Sequence, residues 1–222
     1  MRIIIYIIFF SIILNDKLPN DVRWVKKSTE YKALCHQVYN QAIEKLKKQL
    51  KHNKFSLNIN NRNNYSVIMD LDETVLDNSD YQVDLISKNE SFNMDSWATW
   101  VKKEEAKLVP GAKRYIDFLR KNNIQIIFIS NRMHERLQST KNNMKKLGIY
   151  SDHDIYLLRK DKADKKTIRR KEVFTSTGRM EKFDSFKIIQ YLGDAIGDFK
   201  SKEYLKFGLD QFIFPNPMYG KW

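Results

Sequence analysis

Two aspartates, Asp70 and Asp72, follow a short apolar run at residues 65–69, YSVIM, which is rich in strand-forming residues. In an extended chain, residues two apart point to the same side, so both carboxylates would lie together at the end of this strand. Open α/β sheets bind their ligands at the carboxyl ends of parallel strands. Two close carboxylates repel each other and favour a cation between them, and oxygen ligands without Cys or His suit Mg²⁺.

This pair of acids can support covalent chemistry at phosphorus. One aspartate can attack a phosphorus atom, while the other gives a proton to the leaving oxygen and later takes one from water. A divalent metal would offset the charge on the phosphate and on the carboxylates. Because the same two acids could instead cap a turn at the strand end, the assignment depends on other segments of the chain.

Three further polar segments each follow a predicted strand, where a hydroxyl or a lysine can bind phosphate oxygens and an acid can bind a metal. The segments are Ser130-Asn131-Arg132 after 124–129, the basic run 159–171 after 154–158, and Asp194 with Asp198 after 185–192. A last short strand is predicted at 211–214. The helical pattern at 112–122 lies between two buried apolar strands, which indicates a βαβ unit and a parallel sheet.

The predicted domain organisation has three parts. Residues 1–20 contain Arg2 and the apolar run from Ile3 to Leu14, which is too short to span a membrane as a helix and fits a signal peptide or N-terminal membrane anchor. Residues 21–64 contain a long helix at 28–51 and an Asn-rich linker, and 65–222 form the main domain. Within it, 80–109 is a polar, cap-like insertion leading into a short helix. The predicted location is therefore outside the cytoplasm: periplasmic, at the cell surface or secreted.

Composition excludes some classes of protein. The net charge is +13, but the Lys and Arg residues are spread over predicted helix faces and match no nucleic-acid module, so no nucleic-acid partner is expected. The single cysteine, Cys35, cannot form an internal disulfide and is expected to be a buried thiol in a helix. There is no Gly-rich nucleotide-binding motif and no Cys/His cluster. A homo-oligomer is compatible with the sequence.

The segment DLDETVLDN at residues 70–78 resembles the first motif of the haloacid dehalogenase (HAD) phosphohydrolase superfamily. WATWV, SNR, KDKADK and PNPMYG, in this order along the chain, are similar to segments of the class C bacterial acid phosphatases. This resemblance implies an α/β, HAD-like (Rossmannoid) parallel sheet flanked by helices, with a small helical cap. The class C form has other residues where this chain has Ala195 and Gly197, so the local hydrogen bonds of the pocket are expected to differ while the metal ligand is kept.

The resemblance also implies a role for each candidate residue. The expected catalytic residues are Asp70 as nucleophile, Asp72 as acid and base, and Ser130 and Lys165 as phosphate ligands, with Lys160 and Lys162 as rivals of Lys165. Asp70, the backbone carbonyl of Asp72 and Asp194 are expected to hold Mg²⁺, with Asp198 orienting the lysine or the metal shell. The expected substrate-binding residues are Asn131, Arg132, Trp97 and Tyr219, the last two being aromatic rings that grip the leaving group.

The implied function is that of a Mg²⁺-dependent acid phosphatase that hydrolyses phosphomonoesters, nucleoside monophosphates in particular, through an aspartyl-phosphate. A phosphotransferase or a sugar-phosphate phosphatase on the same fold is an alternative. A storage or binding protein on this fold is a further alternative, and the presence of Asp70 argues against it.

Overall fold

The computed structural model describes residues 18–56 and 65–220. Its strands, numbered in chain order, are β1 Tyr65–Met69, β2 Leu76–Asp77, β3 Lys107–Leu108, β4 Gln125–Met133, β5 Ile155–Arg159, β6 Lys187–Gly193 and β7 Gln211–Ile213. Five of them form a parallel sheet in the order β5-β4-β1-β6-β7, and β2 pairs with β3 in an antiparallel ribbon. The predicted α/β fold with a parallel sheet is confirmed.

The described residues form seven α-helices, which flank the sheet. They are α1 Asn20–Lys27, α2 Thr29–Ser56, α3 Ser79–Ser87, α4 Met94–Lys103, α5 Ala112–Lys121, α6 Leu137–Lys146 and α7 Lys166–Thr175.

Strand β1 lies at the centre of the sheet and is buried along its whole length. Val67 and Met69 belong to one hydrophobic core, and Ile68 belongs to a second core. Because successive side chains of a strand point to opposite faces, these two cores lie on the two sides of the sheet. A strand covered on both faces needs apolar residues throughout, which explains the unbroken run that precedes Asp70.

Helix α2 begins as the sequence predicts but ends later. Ser28 is its cap, since the Ser28 Oγ accepts a hydrogen bond from the Tyr31 N–H at 3.0 Å. The helix continues to Ser56, past the predicted end at residue 51, because no proline or glycine interrupts it there. The rest of the predicted linker, residues 57–64, lies outside the described residues. Cys35 is buried as expected, whereas the neighbouring Leu34 is 40% exposed.

The insertion contains more regular structure than the sequence predicts. Its first half forms helix α3 instead of a polar loop, because Tyr81 and Leu85, four residues apart, share a buried face. Helix α4 then begins after Asn93, whose side chain accepts hydrogen bonds from the backbone N–H groups of Asp95 and Ser96. Trp100 in this helix is 4% exposed and belongs to the hydrophobic core.

The predicted export signal falls mostly outside the described residues, so the predicted location stays a prediction. The described chain opens with the buried Leu18, and α1 packs against α3 with an ion pair between Lys26 and Asp80. None of the helices within residues 18–56 and 65–220 is long and apolar enough to cross a membrane.

Candidate active site

The candidate site lies at the carboxyl edge of the sheet. Asp70 directly follows β1, Asp194 directly follows β6, and Ser130 lies in the carboxyl-terminal half of β4. Lys166 begins helix α7, which follows β5. Because the strands are parallel, their carboxyl ends meet at one edge, and residues distant in sequence come together there.

Three carboxylates form a tight acidic cluster at this edge. One oxygen of Asp70, one of Asp194 and one of Asp198 all lie within 4.8 Å of one another. Asp198 is held in place by the Ala195 N–H, which donates to its Oδ2 at 3.0 Å. The approach is so close that a Cβ atom at Gly193 would lie 2.4 Å from Asp198 Cβ. A glycine is therefore needed where β6 ends.

Lys166 is the lysine that contacts the acidic cluster. Its Nζ lies 2.7 Å from Asp70 Oδ1 and also forms an ion pair with Asp198. Burial alone would lower the pKa of Lys166, but the negative charges of Asp70 and Asp198 raise it above its usual value. The ammonium therefore stays protonated and places one positive charge among three acids.

The expectation that Lys165 occupies this position is wrong in its register. Lys165 is the residue before the first turn of α7, in an extended conformation, and its side chain is exposed. The rivals Lys160 and Lys162 are exposed as well. The sequence has two adjacent lysines at this helix start, and the change from extended to helical backbone between them turns the second into the pocket.

The charge balance of the cluster favours a further cation. Burial raises the pKa of Asp70 well above its usual value; Lys166 acts in the opposite direction, while Asp198 and Asp194 raise it further. Burial and the charge of Asp198 raise the pKa of Asp194 to about 6, against a hydrogen bond from Asn216 that lowers it. Three carboxylates with one lysine are an oxygen-rich donor set that fits a hard divalent ion.

Asp72 is not a member of this cluster and has hydrogen-bond partners of its own. Its Oδ1 accepts hydrogen bonds from Arg132 Nε at 2.9 Å and from Asn78 Nδ2 at 3.0 Å. Its Oδ2 accepts one from the hydroxyl of Ser130 at 3.3 Å. The two aspartates of the first motif therefore have separate surroundings, which suits separate chemical tasks. The metal contact expected of the Asp72 backbone carbonyl stays a prediction.

Arg132 and Asn131 do not lie where a substrate could reach both. Arg132, expected to bind substrate, has a side chain that is only 1% exposed and is paired with Asp72. Asn131 is exposed, and its Oδ1 accepts a hydrogen bond from Arg169 at 2.8 Å. The alternation of side chains along β4 explains this, because it turns Ser130 and Arg132 to one side and Asn131 to the other.

The two predicted aromatic residues differ in their surroundings. The ring of Trp97 is partly buried and lies 5.1 Å from the ring of Tyr81 and 5.6 Å from the guanidinium of Arg132. Phe92 lies at the outer side of this group, with its ring 6.4 Å from that of Trp97. Tyr219 is 37% exposed and makes no ring contact within the described part of the chain. A grip on a leaving group by Trp97 and Tyr219 therefore stays a prediction.

Three residues of this site were missed in the sequence: Lys166, Asn78 and Asn216. Asn216 donates a hydrogen bond to Asp194 Oδ2 at 2.8 Å and so fixes an acid of the cluster. Asn78 is fully buried beside Asp72. Both asparagines lie inside motifs that the sequence singles out, DLDETVLDN and PNPMYG, but a sequence does not tell which way an amide points.

Comparison with known proteins gives consistent matches. A family model described as HAD superfamily, subfamily IIIB (Acid phosphatase) matches residues 10–222. The structure of the class C acid phosphatase from Bacillus anthracis is similar, with a TM-score of 0.77 and 28% sequence identity. The match covers 93% of this chain and 86% of that chain. A second structure of that protein, with tungstate bound, matches to the same extent, with a TM-score of 0.77, 28% identity and the same coverage.

Proposed function

Because the chain belongs to the acid phosphatases of subfamily IIIB of the HAD superfamily, and is thus a phosphomonoesterase, we propose that it acts through an aspartyl-phosphate on Asp70 with Mg²⁺ as its cofactor. The observation that carries this proposal is the convergence of Asp70, Asp72, Ser130, Lys166 and Asp194 on one edge of the sheet. This set provides a nucleophile, a proton donor, phosphate ligands and metal ligands at one edge of the sheet.

Asp70 is the nucleophile of the proposed reaction. Its carboxylate attacks the phosphorus in line, so that a bond from Asp70 to phosphorus forms as the ester bond from phosphorus to the leaving oxygen breaks. The ammonium of Lys166, 2.7 Å from Asp70 Oδ1, binds a phosphate oxygen and offsets the charge that gathers there. The hydroxyl of Ser130 turns from Asp72 to donate to a second phosphate oxygen.

Asp72 moves the protons. In the first step it gives a proton to the leaving oxygen, and in the second it takes a proton from the water that attacks the aspartyl-phosphate. The separate surroundings of the two aspartates support this division, because Asp70 faces Lys166 and Asp72 faces Arg132. The products are the alcohol and inorganic phosphate, and Asp70 is restored.

The acidic cluster would hold the metal through Asp70 and Asp194, with Asp198 orienting Lys166. When bound, Mg²⁺ supplies positive charge that stabilises the transferring phosphoryl group and keeps the carboxylates ionised. Asn216 contributes by fixing the Asp194 carboxylate through its hydrogen bond to Oδ2.

We propose nucleoside monophosphates as the preferred substrates. Trp97 supports this preference, since its ring lies 5.6 Å from Arg132, which in turn contacts Asp72. A flat indole beside the reacting centre can stack on a nucleobase, which a sugar phosphate lacks. A Trp97→Ala variant is expected to raise KM for nucleoside monophosphates more than KM for a sugar phosphate.

The test is a phosphate-release screen over nucleotides, sugar phosphates and aryl phosphates, with added Mg²⁺ and with a chelator. Asp70→Asn is expected to lower turnover roughly 1000-fold or more while the melting temperature shows that the fold is retained. Asp117→Asn, which removes an exposed carboxylate on α5, is the matched control and is expected to keep full activity. A fully active Asp70→Asn variant would overturn the proposal, and transfer of phosphate to an added alcohol would reveal a phosphotransferase.

A further inference from the structure

A network of hydrogen bonds links the carboxylate of Asp72 to buried side chains. We call it the Asn78 network; it consists of Asp72, Glu73, Asn78, Trp100 and Arg132. Asn78 is its centre: its Nδ2 donates to Asp72 Oδ1 at 3.0 Å, and its Oδ1 accepts from Trp100 Nε1 at 2.9 Å and from Arg132 at 3.2 Å. The backbone N–H of Asn78 donates to Glu73 Oε1 at 2.8 Å.

Trp100 determines which way the amide of Asn78 points. The indole N–H can only donate, so the group that faces it must be the amide oxygen of Asn78. The amide NH₂ then faces Asp72, where a carboxylate needs a donor. A flipped amide would bring its oxygen against the carboxylate of Asp72 and its NH₂ against two other donors, the indole and the guanidinium.

The donors of Arg132 are committed to the protein interior. Nε and one terminal nitrogen lie 2.9 Å and 2.8 Å from the same oxygen, Asp72 Oδ1. The other terminal nitrogen donates to the hydroxyl of Thr140 at 3.2 Å. Since the side chain is 1% exposed as well, Arg132 is placed to hold Asp72 in position.

These contacts make the two oxygens of Asp72 inequivalent. Oδ1 faces donors from Arg132 and Asn78, so a proton cannot reside on it without opposing them. Oδ2 faces the hydroxyl of Ser130 at 3.3 Å, on the side of the proposed phosphate site. A protonated Asp72 therefore carries its hydrogen on Oδ2.

We propose that Asn78, Arg132 and Trp100 are positioning residues that make Asp72 Oδ2 the proton-transferring oxygen. Helix α4 contributes through Trp100, whose hydrogen bond to Asn78 fixes the orientation of the amide that holds Asp72. This inference rests on the proposed function. As the ester bond breaks, the proton on Oδ2 moves to the leaving oxygen; in the second step, a proton from the attacking water returns to Oδ2. Oδ1 keeps its three donor contacts in both steps.

The test uses the dependence of the rate on the leaving group. Nitrophenolate leaves without help from an acid, whereas the alkoxide of an alkyl phosphate needs a proton. Trp100→Phe removes the indole N–H but keeps a buried ring. Arg132→Lys keeps the positive charge but loses the pair of guanidinium contacts to Asp72 Oδ1. We expect each variant to lower kcat/KM for an alkyl phosphate about tenfold more than kcat/KM for 4-nitrophenyl phosphate.

Two matched controls separate this effect from a general loss of packing or charge. Trp24→Phe alters a partly buried tryptophan of α1, and Arg120→Lys alters an arginine paired with Asp154, just before the amino end of β5. Both controls are expected to keep the wild-type ratio between the two esters. In an Asp72→Asn background, Trp100→Phe should no longer change that ratio, because the residue through which it acts is gone.

Equal losses on both esters in Trp100→Phe and Arg132→Lys would overturn the inference and leave the Asn78 network with a structural role alone. Should Trp100→Phe fail to fold, Arg132→Lys decides the outcome by the same ratio, and should both fail, Asn78→Ser decides it. A wild-type protein that hydrolyses neither ester would instead overturn the proposed function, so the two failures are distinguishable.

Discussion

The ammonium of Lys166 lies 2.7 Å from Oδ1 of Asp70, the proposed nucleophile, and forms a second ion pair with Asp198. The neighbouring Lys165 is exposed at the start of the same helix. Two adjacent residues of the same type therefore have opposite surroundings, which gives a direct test of the site.

Lys166→Met is expected to lower kcat roughly 100-fold or more, because it removes the positive charge that offsets the developing charge on the phosphate. Lys165→Met is the matched control and should change kcat less than about twofold, since its side chain is exposed. Steady-state kinetics on one aryl phosphate measures both. The reverse ranking of the two variants would contradict the assignment of Lys166.

Gly193→Ala is expected to destabilise the protein by about 1–3 kcal/mol and to lower activity, because the new Cβ would lie 2.4 Å from Asp198 Cβ. Either β6 or Asp198 must then move, and Asp198 holds Lys166. Gly197→Ala is the control, since a Cβ there meets nothing within 4 Å. Denaturant unfolding and kinetics on both variants measure the difference. Equal free energies of unfolding for Gly193→Ala and Gly197→Ala would contradict the close contact between Gly193 and Asp198.

Asp194→Asn is expected to make the metal-free protein more stable near neutral pH, because one of three clustered carboxylates loses its charge. Burial and Asp198 raise the pKa of Asp194 to about 6 in the folded state, so the folded protein takes up a proton at a higher pH than the unfolded chain. Asp194 therefore contributes a gain in the stability of the metal-free wild type as pH falls from about 7 through about 6 towards about 4. The Asp194→Asn variant should lack this contribution, so its stability should increase less than that of the wild type as pH falls.

Thermal unfolding with a chelator at about pH 5 and about pH 7, and again with Mg²⁺, checks the Asp194 prediction. Added Mg²⁺ should raise the melting temperature of the wild type and not that of Asp194→Asn, because a ligand of the ion is lost. A metal-free variant that is less stable than the wild type at neutral pH would contradict the charge argument.

Asp164→Asn is expected to lower the free energy of unfolding by about 2 kcal/mol near neutral pH. Burial alone would raise the pKa of Asp164, but hydrogen bonds from Arg179 and the Lys160 N–H and the charge of Arg169 lower it below its usual value. The stabilisation is therefore complete above the unfolded-state pKa and is lost as pH falls through the folded-state pKa. Denaturant unfolding at several pH values measures it.

The exposed ion pair of Lys113 with Asp117 provides the control for Asp164, since Asp117→Asn should cost less than about 0.5 kcal/mol. The difference in the free energy of unfolding between Asp164→Asn and Asp117→Asn should disappear in acid. A difference in free energy of unfolding that stays constant from neutral pH to acid would mean that Asp164 acts through packing and not through its charge.

The sequence predicts the sheet well because the signals there are local. YSVIM and IQIIFI are continuous apolar runs of strand length, and each marks a strand of the sheet. Strand β1 ends at Met69, as the apolar run does, whereas β4 continues through Ser130, Asn131 and Arg132 to Met133. The parallel arrangement follows from the helix between them. The acids Asp70 and Asp194 could be placed at one edge because every parallel strand ends there.

Other parts of the site depend on side-chain direction, which the sequence does not fix. The choice between Lys165 and Lys166 is a difference of one residue at a helix start, within the usual error of a predicted boundary. An arginine is mostly exposed in proteins, and only the pairing with Asp72, which the sequence does not reveal, allows Arg132 to be buried. Asn78 gains its role only from Trp100, which comes from a helix later in the chain.

The position of β1 at the centre of the sheet has a consequence for how the chain folds. This strand is made early, but its two neighbours, β4 and β6, come much later along the chain. Until both have left the ribosome, an apolar strand with two open edges has no partner, and pairings between distant segments form slowly. Newly made chain is therefore expected to need a chaperone that shields this strand until β4 and β6 can pair with it.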